Sequence, residues 1–327
     1  MNKFAVILPY FGKFKPSFAL FYESARRNPD VDFFIFTDDN EPIYLAENIK
    51  WIKTTLAKFN DMAVQKLGID FKIPKPYKLC DFKPMYGLIC EDYLKGYKYW
   101  AYGDVDVIYG KISEFMDKID YRKFDKINHA GHLCFMKNVP EINELFKVQA
   151  EGSKDYKEVL FSGNVAFDEL DMNKKAKAAS IKLYDGIFAA DIMNEKGMQV
   201  VDKEHIEKGF KIKTAYPSPK NYHYQIFVSE NGRIIRYYRR FFKVKKDEFC
   251  YMHYRLELPV LLSDKKSDTF IVSFKQNGFF DFDIKSVQNL KSFMKTVKTY
   301  NTRKPIIVEK FNALINKING ILKKGEN

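Results

Sequence analysis

Residues 4 to 8 (Phe-Ala-Val-Ile-Leu) form an unbroken apolar run that closes on Pro9 and Gly12. That is the pattern of a strand covered on both faces in a parallel sheet. An amphipathic stretch from about Ser17 to Arg27 follows, then a second mostly apolar run, Val31 to Phe36, that stops at Thr37-Asp38-Asp39. Strand, helix, strand in this order predicts an α/β sheet whose ligand site lies at the carboxyl ends of its strands. A helix over about Asn60 to Leu67, another from Gly87 to about Lys95, a buried strand Tyr97 to Tyr102 and a helix from Pro140 to about Ala150 continue the alternation. From Tyr222 to Phe242, aromatic, apolar and charged residues alternate about Glu230-Asn231-Gly232. Asn-Gly is a strong turn signal, so a β-hairpin with a basic arm (Arg233, Arg236, Arg239, Arg240) is predicted there. Thr269 to Phe274 reads as a last strand.

Composition narrows this picture. The chain has 327 residues, 46% of them hydrophobic, enough for one large α/β domain or two modest ones. Fifty-five Lys and Arg against 42 Asp and Glu give a formal charge of +13, which favours anionic partners without choosing among them. The four cysteines (Cys80, Cys90, Cys134, Cys250) lie in apolar or aromatic surroundings and form no Cys-x-x-Cys pair. They read as buried reduced thiols of a cytoplasmic protein rather than as a zinc site. No run of about 18 apolar residues marks a membrane-spanning helix.

The strand Tyr97 to Tyr102 leads into Gly103-Asp104-Val105-Asp106. Two aspartates separated by one residue can reach a single divalent cation if the residue between them points the other way, as in an extended strand end. Mg²⁺ or Mn²⁺ is the ion implied, because such hard cations leave coordination positions for water and substrate phosphates. Asp-x-Asp is common by chance, and Asp30-Val-Asp32 and Asp281-Phe-Asp283 occur here too. Position is what distinguishes Asp104 and Asp106, since they follow the apolar strand that carries Trp100.

Other residues fall at matching places. Pro9, Tyr10 and Phe11 offer a turn with an aromatic plane for a base, and Thr37 and Asp38 offer acceptors to base or ribose, although each is also an ordinary loop residue. Lys83, beside Asp81 and Pro84, sits where an ammonium and a helix start would both favour phosphate; a solvated lysine is the plain reading. Asp168 and Glu169 follow the turn Ser162-Gly163-Asn164. They are the candidates to accept a hydroxyl proton, and otherwise simple helix N-terminal acids. His132 reads either as a substrate contact or as a structural histidine.

Tyr99 to Gly110 resembles the Asp-x-Asp region of bacterial GT-A glycosyltransferases. Lys78-Leu-Cys-Asp-Phe-Lys-Pro-Met-Tyr-Gly87, Gly131-His-Leu-Cys-Phe-Met-Lys-Asn138 and Phe167-Asp-Glu169 extend the similarity to a family encoded with capsule and surface-polysaccharide genes, over roughly residues 1 to 260. The resemblance implies a GT-A-like, Rossmann-like mixed sheet flanked by helices, and transfer of a sugar from a nucleotide-diphosphate donor with Asp104 and Asp106 on the metal. A growing glycan, lipid-linked, is the acceptor it suggests. It further implies a third metal ligand after an apolar strand near the end of the catalytic domain, which Phe249-Cys-Tyr-Met-His253-Tyr fits; a hydrogen-bonded strand histidine is the competing reading.

A catalytic domain over 1–263 and a basic extension over 264–327 are expected, because from Ile284 to Asn327 there are ten Lys or Arg against two Glu. Within it, Ile307, Phe311, Leu314, Ile315, Ile318, Ile321 and Leu322 recur at helical spacing among lysines. Residues 306–324 thus read as an amphipathic helix, either packed on the domain or lying on the anionic inner face of the cell membrane. A non-enzymatic alternative is nucleic-acid binding through Arg236-Tyr-Tyr-Arg-Arg-Phe-Phe-Lys, which interleaves rings with cations.

Overall fold

A computed structural model describes residues 3–42, 44–193, 199–201, 204–207, 210–213, 217–222, 225–241, 243–254, 260–263 and 270–273. The expected amphipathic helix at 306–324 lies outside these residues.

The first apolar run forms β1 (Phe4–Pro9). In chain order follow β2 (Val31–Thr37), β3 (Ile49–Lys53), β4 (Tyr99–Gly103), β5 (Val107–Tyr109), β6 (Lys126–Ile127), β7 (Leu133–Lys137), β8 (Leu183–Tyr184), β9 (Ala189–Met193) and β10 (Gln199–Val200). The second half adds β11 (Glu204–Glu207), β12 (Phe210–Lys213), β13 (Gln225–Glu230), β14 (Arg233–Arg240), β15 (Lys243–Phe249), β16 (Tyr251–His253), β17 (Val260–Ser263) and β18 (Phe270–Ser273). A seven-stranded sheet runs β3-β2-β1-β4-β7-β6-β8. Its β3, β2, β1 and β4 are parallel, and β7 turns antiparallel against β4. The chain is therefore a mixed α/β fold flanked by helices, as expected.

Period-two alternation with both faces covered explains why the runs in β1 and β4 are apolar throughout and that in β2 is apolar apart from Asp32, which accepts from the Tyr97 hydroxyl at 2.6 Å, and Thr37. Ala5, Ile7, Phe34, Phe36, Trp100 and Tyr102 feed the core on one face, while Phe4, Val6, Leu8, Phe33, Ile35 and Ala101 feed the core on the other. Helices Phe18–Arg26 and Ile112–Lys118 lie with the second core, and Leu56–Leu67 with the first. The last of these starts four residues before its expected place, because the Thr55 side chain caps it by accepting from Lys58 N at 3.2 Å.

The helices expected over 87–95 and 140–150 are shorter. The first stops at Ile89 and gives way to a 3₁₀ turn, Glu91–Tyr93, before Gly96 at φ 86° directs the chain towards β4. The second is one turn, Pro140–Asn143, whose Asn143 is tied to Trp100 Nε1 at 2.7 Å and to Asn138 at 2.9 Å, followed by a 3₁₀ turn. Tertiary hydrogen bonds hold both segments where they end, since Asn138 Nδ2 donates to the Leu94 and Tyr97 carbonyls at 2.8 and 3.0 Å and Trp100 Nε1 donates to Asn143.

A second sheet, β10-β9-β16-β5, packs on the end of the first, and β15-β14-β13-β18-β17 forms a third. The hairpin of β13 and β14 turns through Asn231 and Gly232 at φ 51° and 73°, the two positive values an Asn-Gly turn predicts. β18 pairs with β13, so a strand beyond position 264 completes this sheet. A third apolar cluster (Ile108, Ile192, Phe227, Ile234, Phe249, Met252, Tyr254) joins it to the second sheet. Among the described residues no helix is long and apolar enough to cross a membrane. All four cysteines are unbridged.

Candidate active site

Asp104, Val105 and Asp106 carry the chain from β4 in the first sheet to β5 in the second. Val105 packs into the core between its two acidic neighbours, as alternation requires. The registers do the rest. β16 pairs with β5 so that His253 lies beside Val107, and pairs with β9 so that His253 also lies beside Asp191. His253 Nε2 comes 3.4 Å from Asp106 and its Nδ1 2.9 Å from Asp191. Burial disfavours the imidazolium, but Asp106 and Asp191 outweigh it and hold the His253 pKa at about 10. The same contact holds the Asp106 carboxyl below its ordinary value despite burial. The His132 ring stacks on His253 with centroids 4.2 Å apart, and its Nδ1 meets the Tyr251 hydroxyl at 2.6 Å.

Asp104, Asp106 and His253 each present a ligand atom within 4.8 Å of the others. His132, Asp191 and His253 form a second such group. The first fits a catalytic cation better, because Asp104 is 32% exposed and leaves an approach for substrate, whereas His132 and Asp191 are buried. Two carboxylates and one imidazole suit Mn²⁺ or Mg²⁺. With Asp191 holding Nδ1, Nε2 of His253 is aimed towards Asp106, the outer-carboxylate arrangement that fixes a ligating histidine.

Lys83 is buried beside this trio rather than solvated. It lies 2.7 Å from Asp104 and 3.4 Å from Asp168, and it donates to the Gly131 carbonyl at 3.0 Å. Burial opposes its charge, yet the two carboxylates raise its pKa well above the ordinary value. Burial pushes the Asp168 carboxyl up to about 7, with Lys83 opposing the rise. Glu169 is raised by burial too, while accepting from Gly131 N at 3.1 Å.

The wide π-helical turn Phe167–Asp171 that bears Asp168 and Glu169 is approached through Ala166 at φ 54°. Asp81, fully buried, accepts from Val165 N at 3.1 Å and Phe167 N at 3.0 Å, while Lys78 reaches it at 2.9 Å and also donates to the Gly163 carbonyl. Gly131 has no room for a side chain, since a Cβ there would overlap the Asp168 carboxylate.

Of the nucleotide candidates, Pro9 ends β1, and Tyr10 stacks on Phe14 at 4.4 Å near enough to Asp106 for that charge, after burial, to raise its pKa. Asp38 accepts from Gly12 N at 2.7 Å. All sit at the carboxyl ends of β1 and β2. Sequence reasoning missed Asp191, a lone aspartate in a short strand, and undervalued Asp81. The basic-aromatic segment does not form one surface: Arg236 is buried against Asp247 and the rings of Tyr222, Tyr238 and Phe249.

Fold and site together define a mixed α/β protein with an acidic, histidine-bearing cluster beside a buried lysine at the carboxyl ends of its central strands. Residues 6–281 match the group described as "Family of unknown function (DUF6625)", and the chain belongs to that family. No curated protein matches it. Among solved structures it is similar to the galactosyltransferase LgtC in complex with donor and acceptor sugar analogues (11% identity, TM-score 0.37, 59% of this chain and 77% of that one). It is similar also to mouse xyloside xylosyltransferase 1 in its apo form (8%, 0.36, 59% and 88%). A third is the glycosyltransferase GlyE of Streptococcus pneumoniae TIGR4 (12%, 0.28, 56% and 45%).

Proposed function

We propose that the chain is a glycosyltransferase that moves a sugar from a nucleotide-diphosphate donor, with a UDP-sugar the first choice, to a glycan acceptor. The observation that carries this reading is the convergence of Asp104, Asp106 and His253 with Lys83, Asp168 and Glu169, at the sheet end where α/β enzymes bind nucleotides. The motif resemblance of Tyr99 to Gly110 supports it. Asp104, Asp106 and His253 would hold Mn²⁺ or Mg²⁺, which supplies neutralisation of a departing diphosphate.

The chain's own groups have separable tasks. Lys83 opposes the rise of the Asp168 pKa and adds positive charge beside the phosphates. Asp168, raised to about 7, is matched to take the acceptor hydroxyl's proton near neutral pH, with Glu169 locked beside it on Gly131 N. Pro9, Tyr10 and Asp38 line the edge on which base and ribose would rest. A lipid-linked surface-polysaccharide acceptor, work at the cytoplasmic face of the membrane and membrane contact by 306–324 complete the proposal.

Thermal-shift screening of UDP-, GDP-, CMP- and dTDP-sugars with and without Mn²⁺ tests it. One nucleotide series should stabilise the fold only when the metal is present. No stabilisation by any of them would overturn the reading.

A further inference from the structure

The hairpin of β14 and β15 divides into two halves that differ in how their charges are answered. At its base, Arg233 meets Glu248 at 2.9 Å and also Glu114, Arg236 is paired with Asp247, and the Tyr237 hydroxyl donates to Glu230 at 2.8 Å. Towards its tip, residues 239 to 246 read Arg-Arg-Phe-Phe-Lys-Val-Lys-Lys, five cations and no acid. Arg240, Lys243, Lys245 and Lys246 are exposed there, and among the described residues none of the four has an acidic partner. Arg240 and Lys243 sit directly opposite each other in the ladder, a like-charge pairing that opposes closure of the hairpin.

That same pairing leaves two residues to turn the chain, and the first is Phe241, at φ 56° and 83% exposed. Two-residue turns favour Gly, Asn or Asp at such a φ, because a bulky side chain crowds the left-handed backbone. The most exposed large apolar side chain among the described residues thus stands where neither burial nor backbone preference asks for one. Val244, 52% exposed, and the Arg240 guanidinium, 5.8 Å over the Phe241 ring, complete the tip. Lysines alone would suffice to keep β15, an edge strand, from pairing with another chain, but that task has no use for a strained aromatic.

We propose that this hairpin tip docks on an anionic lipid bilayer, separately from the segment 306–324 and independently of the glycosyl-transfer reading. A ring carried on a narrow tip reaches the apolar boundary below the headgroups, and the surrounding ammonium and guanidinium groups meet the lipid phosphates. Nucleic acid fits less well, since it needs rings open for stacking, and here Tyr238 is buried and Tyr237 is bound to Glu230.

Sedimentation of the full chain with phosphatidylglycerol–phosphatidylcholine vesicles tests the proposal, with phosphatidylcholine vesicles and a single-stranded oligonucleotide as comparisons. The chain should bind the anionic vesicles and not the neutral ones. Phe241→Gly, which suits the left-handed backbone and so spares the fold, should weaken that binding about tenfold. Lys243→Glu with Lys245→Glu should weaken it more, since each cation at such a surface contributes about fivefold. Anionic-vesicle binding unchanged in both variants, no such binding by the parent chain, or hairpin-dependent binding of the oligonucleotide alone would each overturn it.

Discussion

The cluster at the carboxyl end of β4 and the tip of the β14–β15 hairpin are both dense in charge, and they treat it in opposite ways. In the cluster, Lys83 lies between Asp104 and Asp168, His253 between Asp106 and Asp191, and Lys78 against Asp81, with most of these groups buried. At the tip, exposed cations stand beside one another with no acidic partner among the described residues. A buried charge must be matched within the fold, because desolvation otherwise costs several kcal/mol per ion. An exposed charge is hydrated by water and can stay unmatched until a partner supplies the counter-charge. The first arrangement is built to hold its geometry, the second to meet something from outside.

The largest effect should come from Asp106→Asn. Sugar transfer, measured as kcat/KM, should fall about a thousandfold, as loss of a metal-assisted step implies, while the thermal midpoint stays close to the parent's. Full activity in this variant, or in saturating chelator, would remove the metal from the account. Asp81→Ala comes next and reads on stability. Leaving Lys78 buried and unpaired, with two backbone N–H groups unsatisfied, should cost about 3–5 kcal/mol in chemical denaturation. At the tip, Lys243→Ala should change stability by no more than about 0.5 kcal/mol. Equal costs at the two places would erase the contrast between them.

Gly131→Ala has a narrower effect. The added methyl must displace Asp168, so transfer should drop roughly a hundredfold while nucleotide binding, read by titration calorimetry, is kept. Unchanged transfer would separate Asp168 from the chemistry. Smallest of all, Phe241→Gly should leave stability unchanged or raise it by up to about 1 kcal/mol, since glycine carries no penalty at that φ. A clear loss of stability would mean that the ring packs for structure.

The sequence made the central sheet legible because strands covered on both faces are almost continuously apolar, and β1, β2 and β4 were read nearly to their ends. The hairpin was legible through Asn231-Gly232. Helix lengths were not, because the polar side chains that cut them short find their partners far along the chain, as Asn143 does in Trp100. In the site, the spacing of Asp104 and Asp106 after an apolar strand was visible, and a resemblance pointed to His253. Asp191 left no mark, since only the register of β9 against β16 brings it to the imidazole. Lys83 was visible as a candidate, but its double pairing depends on how close the Phe167–Asp171 turn comes to Gly131. The basic-aromatic segment misled as a single surface because Arg236 and Arg240, on the same strand face, lie at different heights of the hairpin, Arg236 buried at its base and Arg240 exposed at its tip.

The claim that Asp104, Asp106 and His253 form a metal-dependent nucleotide site is tested most directly by calorimetric titration of UDP into the parent chain and into Asp106→Asn, each with and without Mn²⁺. The account predicts binding to the parent only when Mn²⁺ is present, and none to the variant in either condition. Binding of equal strength in all four titrations, or UDP binding to the parent that chelator does not reduce, would contradict it.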